Sequence, residues 1–174
     1  MDGSRSTEAD RWLNAGKDAL LTGTLASVAS TAALAWLGRR KLGKPFAPTN
    51  ATSHWLWGDD ESFNALEPSF RHTAIGYATH HASAVMWAFF YQRWLAAERE
   101  RTLATIVRDA AMMTAIAAFV DYQLTPKRLT PGFEAHLSRG NLVGVFAAVG
   151  LGLVAGAFLN QRHERALERA RSIP

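Results

Sequence analysis

Three stretches of this chain, residues 19–38, 72–92 and 140–161, contain no Asp, Glu, Lys or Arg. Each matches the roughly 20 predominantly apolar residues that carry an α-helix across a bilayer. Charge crowds into the segments between them. The mean hydropathy of −0.07 hides this segregation, because apolar and charged blocks cancel; windowed hydropathy is what identifies spans. Residues 140–161 form the clearest block, and 103–124 make a fourth, interrupted by Arg108 and Asp109. The expectation is an all-α, integral-membrane four-helix bundle, a single domain over residues 1–174 with spans at about 19–38, 72–94, 103–124 and 140–161. A soluble bundle would instead show a polar face on each helix.

The chain has no cysteine, which excludes disulfides, thiolate chemistry and cysteine-ligated zinc or iron–sulfur sites. Its net charge of +4 comes from Arg and Lys beside the span ends, where cationic side chains snorkel to anionic headgroups. Membrane lipids are therefore the expected partners, and nucleic acid is not. The polar start, MDGSRSTEADRW, lacks the short basic region of a signal peptide, so the first helix is expected to be retained. Four spans would put both termini on one side. The distribution of Arg and Lys favours the cytoplasm for that side, although Arg39, Arg40 and Lys41 directly after the first span pull the other way.

The connections are unequal. AAERERT can only join two antiparallel helices, whereas 39–71 and 125–139 are longer, emerge on the same side and are predicted to contain short interfacial helices. In TNATSHWLWGDDES, Ser53 is placed to cap a short helix, and Trp55 and Trp57 suit an interface where an indole keeps its body apolar and its N–H wet. Asn50-Ala51-Thr52 matches a glycosylation sequon, a pattern too common to weigh much. In the other connection, Thr125-Pro126 ends the third helix. Thr130-Pro131 then reads as an N-cap and first-turn proline opening a short helix through Phe133, Glu134 and His136. Lys127 and Arg128 beside it are candidates for holding an anion or lipid headgroup.

Helix faces can be ranked by residue size, because membrane helices approach most closely through Gly, Ala, Ser and Thr at four-residue spacing. Such rows are Gly23, Ser27, Thr31 and Ala35 in the first span, Gly76, His80, Ala84 and Ala88 in the second, and Gly144, Ala148, Gly152 and Gly156 in the fourth. His80 thus faces inward, while the adjacent His81 is turned by about 100° and reads as a bystander. In the third span Ala110, Thr114, Ala117 and Asp121 follow the inward face. At about 1.5 Å per residue, His72, Asp121 and His80 descend in that order from one side. They predict a polar cluster of His72, His80, Asp121 and Tyr122, roofed by His54, Asp59, Asp60, Glu134 and His136. Ionisable groups inside a membrane suggest function. His72, His80 and Asp121 are the candidate metal ligands, their imidazole and carboxylate groups suiting zinc or iron. A bis-histidine haem would need histidines on facing helices, which spans one, three and four lack, and the further histidine boxes of diiron desaturases are missing. Arg108 is expected to snorkel while Asp109 meets another helix.

The runs SHWLWGDD, RHTAIGYATHHASAVMWA and VDYQLTPKRLTPGFE resemble a family of small, uncharacterised bacterial inner-membrane proteins of about four helices, over residues 50–160. The resemblance implies location and architecture and carries no mechanism. Two functions are expected to compete. One is a scaffold or accessory subunit packing with lipid, with copies of itself or with partner helices. The other is a membrane-embedded enzyme or a metal- or haem-binding protein using the His/Asp cluster. Transport would require oligomerisation to enclose a path.

Overall fold

The computed structural model describes residues 7–97 and 101–172, which are helical throughout apart from turns and connections, with no strand among them. Helix α1 runs from Glu8 to Leu42. The short helices α2 (Ala47–Ala51), α3 (His54–Trp57) and α4 (Asp59–Phe63) fill the first connection. A π-helical turn at Phe70–Ala74 leads into α5 (Ile75–Leu95); α6 (Leu103–Phe119) ends in a second π-helical turn at Val120–Leu124, and α7 spans Arg139–Arg171.

Three helical segments are long and apolar enough to cross a membrane: Glu8–Leu42, Leu103–Leu124 and Arg139–Arg171. Large apolar side chains such as Val28, Leu103, Val143 and Leu151 point outward from them, as a lipid environment requires. The fourth expected span, α5, forms a long helix but does not meet the same apolarity standard. Thr79, His80, His81, Ser83 and Gln92 lower its hydropathy, and of these His80 and Gln92 are buried against other helices.

Local chemistry sets the helix limits. Thr7 and Asp10 form a capping box that starts α1 well before the apolar run, satisfying two otherwise orphaned N–H groups. Gly43, at φ 69°, ends it in the left-handed region glycine tolerates. Thr102 caps α6 and Ser138 caps α7. Helix α7 continues past the predicted limit at 161 through an arginine- and glutamate-rich segment.

Two local expectations fail. The helix predicted after Pro131 is only a 3-10 turn over Phe133–Ala135, because Gly132 turns the chain at φ 83° with Ala51 and His54 pressed against it. Ser53 precedes α3 but does not cap it; its hydroxyl is drawn to Asn50, Ser62 and His72 instead.

Helix α1 is central and packs antiparallel with both α5 and α7, while α6 leans mainly on α7. A Cβ on Gly152 or Gly156 would strike the backbone of Ala26 or Thr22, and one on Gly23 would come within 2.5 Å of Val85 Cα. The predicted row on α7 therefore splits: Gly152 and Gly156 make the close approach, whereas Gly144 has nothing within 4 Å. One apolar core around Tyr91, Ile106, Met113 and Leu153 fills the middle. A second, around Leu34, Phe133, Leu137 and Val145, seals the end covered by the two long connections.

Candidate functional site

Those connections knit into one cap. Asn50, fully buried, donates to the carbonyls of Ala65 (2.6 Å) and Glu67 (2.9 Å) and accepts from Thr73 Oγ1 at 2.7 Å. His54 is also buried, with Nδ1 2.7 Å from Asp59 Oδ1 and Nε2 2.8 Å from the Thr130 carbonyl. Both ring nitrogens thus face oxygen atoms of the cap. Trp55 Nε1 donates to the same Thr130 carbonyl at 2.8 Å, and Arg128 donates to the carbonyls of His54 (3.0 Å) and Trp55 (3.1 Å). Arg128, predicted as an anion ligand, therefore ties the two connections together. The indole of Trp57 lies under the Arg71 guanidinium at 4.0 Å, and Arg71 reaches Glu61 at 2.6 Å. Hydrogen bonding to Arg71 holds the Glu61 carboxyl below its ordinary range. Asp60 is exposed, and its carbonyl accepts from Asn64.

Beneath the cap the histidines are tied to hydroxyls. His72 Nδ1 lies 2.9 Å from Ser53 Oγ and its Nε2 3.5 Å from Glu61. His80 Nε2 lies 2.8 Å from Ser30 Oγ on α1. Ser30 already donates to the Ala26 carbonyl at 2.8 Å, so its oxygen accepts from His80 Nε2–H. Sequence reasoning took His81 for a bystander, yet its Nδ1 lies 2.8 Å from Ser27 Oγ, which donates in turn to the Thr24 carbonyl. Two serines three residues apart meet two adjacent histidines, because neighbouring positions on α5 straddle the line of contact with α1. Deeper still, Thr22 Oγ1 accepts from Gln92 (2.6 Å) and Asn160 (3.1 Å), joining α5 and α7 to α1.

The predicted cluster is thereby dispersed. Among the described residues, no group of three or more His, Asp or Glu is placed to hold a metal ion, which corrects the set His72, His80 and Asp121. His80 and Asp121 do share the wall of a cavity of about 200 Å³, together with Thr52, Trp87 and Phe133. Asp121 interacts with the Trp87 indole, and Thr52 Oγ1 is buried with no hydrogen-bond partner among the described residues. Trp87 and Thr52 were missed by sequence reasoning, which looked only for titratable groups.

Tyr122 and Glu134 instead face an open groove of about 1540 Å³ between α6 and α7, with Lys127 and Asp59 at its polar end. Glu134 accepts from Thr130 Oγ1 at 2.6 Å. His136 is half-buried apart from the others, with its Nε2 unpartnered among the described residues; burial lowers its pKa. Arg108 folds back onto Asp109, with Nε 2.7 Å from Oδ1, and the Asp109 side chain is buried against the bundle near Tyr91 of α5. No family model matches the chain, and no curated protein or solved structure shows significant similarity to it.

Proposed function

We propose that this protein is a small multi-pass scaffold or accessory subunit of a bacterial inner membrane, whose buried polar groups bind its own helices. In this reading α5 is the fourth span, the termini face the cytoplasm, and lipid or partner helices cover the outer faces. One observation carries it: His54, His72, His80 and His81 are each engaged by a hydroxyl, carboxylate or carbonyl of the same chain. Interhelical hydrogen bonds of this kind position membrane helices and contribute modestly to stability.

The test is elemental analysis and an absorption spectrum of detergent-purified protein, for wild type and His80→Ala. The expected result is no stoichiometric metal or pigment in either, with the variant only less stable. A stoichiometric metal lost on substitution would overturn the proposal.

A second reading is favoured by the cavity beside His80, where Thr52 presents a hydroxyl unpartnered among the described residues in apolar surroundings. It would suit a small, mostly apolar molecule bearing one hydrogen-bonding group. Solvent extraction of the purified protein followed by mass spectrometry would reveal such a molecule at one per chain.

A further inference from the structure

We propose that the groove between α6 and α7 holds one acidic glycerophospholipid, with an acyl chain lying along the two helices and the phosphate on Lys127 and Arg139. This deepens the membrane-scaffold reading and rests on it.

Length argues first for a lipid. The apolar lining runs from Val107 to Ala118 on α6 and from Leu142 to Val154 on α7, which is about 16–18 Å at the α-helical rise. That matches one leaflet, or about half of a 30 Å hydrocarbon core, whereas a partner transmembrane helix would call for the full thickness. The lining is also shaped to admit a chain. Ala111, Thr114 and Ala115 on one side and Ala147 and Gly150 on the other line it with small side chains, Thr114 closing against Gly150 at its floor.

Charge argues next for an acidic headgroup. All the ionisable groups lining the groove lie at one end: Asp59, Lys127, Glu134 and Arg139, beside Tyr122. Two acids stand there too, Asp59 hydrogen-bonded to His54 and Glu134 to the Thr130 hydroxyl. Lys127 and Arg139 are exposed and make no ion pair among the described residues. Arg128, held nearby by carbonyls alone, adds positive charge without being neutralised. The Tyr122 side chain lines the same wall beside Glu134. Cations without ion pairs at the interfacial mouth of a leaflet-length groove fit a phosphodiester with an acyl chain below it.

The test counts bound lipids by native mass spectrometry as detergent-purified protein is titrated with phosphatidylglycerol or, separately, with phosphatidylcholine. Wild type is expected to retain one phosphatidylglycerol at concentrations roughly tenfold below those needed for phosphatidylcholine. The Lys127→Gln/Arg139→Gln variant should lose that preference with an unchanged melting temperature, since both side chains are exposed. Ala115→Trp, which fills the groove, should lose both lipids. Equal retention of the two lipids by wild type, or a preference that survives in the double variant, would overturn the proposal. So would disulfide cross-linking between copies through Ala115→Cys in this otherwise cysteine-free chain, because a second copy would then occupy the groove. A stoichiometric metal lost in His80→Ala together with an intact lipid preference would reject the scaffold reading and leave the lipid site standing.

Discussion

Gly156 lies directly on Thr22: a Cβ added to the glycine would strike the threonine's Cα and approach its Oγ1 to 2.7 Å. The same hydroxyl oxygen accepts hydrogen bonds from Gln92 and Asn160, so the tightest helix crossing and the three-helix polar junction coincide. Replacing Gly156 with Ala should therefore both force α7 from α1 and disturb the junction. The expected loss is about 1–3 kcal/mol, read from thermal unfolding in detergent. Gly144→Ala, at a position with open space around it, should leave the melting temperature unchanged or raise it slightly. Equal losses at the two glycines would show that α7 does not cross α1 as described.

The pairing of Ser30 with His80 predicts energetic coupling between residues fifty positions apart. A double-mutant cycle of Ser30→Ala and His80→Ala should give a coupling of about 0.6 kcal/mol, and no more than about 1.7. Ser27→Ala and His81→Ala should behave alike. The crossed cycle of Ser27 with His80 should show less, and a crossed coupling as large as the direct ones would refute the pairing.

Lys127 and Arg128 are adjacent, yet they should differ in their effect on stability. Arg128→Ala removes two hydrogen bonds that join the connections, and its cost should be about 1 kcal/mol. Hydrogen exchange should quicken across residues 53–57 and 127–131. Lys127→Ala should leave both observables unchanged, and matching effects would contradict the cap geometry.

Acidification should loosen the cap in two steps. Burial lowers the His136 pKa below its ordinary 6.5, so the unfolded chain takes up the proton first; stability is complete above that pH and falls below it. Glu61 is held low by Arg71, and its contribution, present above the ordinary 4.5, is lost on further acidification as its own pKa is crossed. Melting temperature measured against pH should lose the upper step in His136→Asn and the lower one in Glu61→Gln.

Much of the architecture is legible in the charge-free blocks, because span length and small-residue spacing are local properties of a helix. Gly76, His80, Ala84 and Ala88 form the buried face that their spacing predicts. The partners of the inward histidines were not legible. Ser27 entered the sequence reading only as a small residue in a packing row, and nothing local distinguishes a serine that permits close approach from one that also accepts a hydrogen bond. The cap was hidden for a related reason. Residues 53–55 meet 128–130 across more than seventy positions, a contact set by tertiary folding. Asp121 lines the cavity beside His80, but its neighbour is an indole, which a search for charge complements passes over.

The central place of α1 bears on how the chain assembles. Synthesis proceeds from the N-terminus, so α1 would enter the bilayer before any helix it packs against. Ser27 and Ser30 donate their protons to carbonyls of α1 itself, which lets them wait in lipid without an exposed donor and keeps their lone pairs free for the imidazoles that follow. Helix α7, made after α5 and α6, settles beside α1, and a chain released before α7 would lack the partner that Thr22 and Ala26 are shaped to receive.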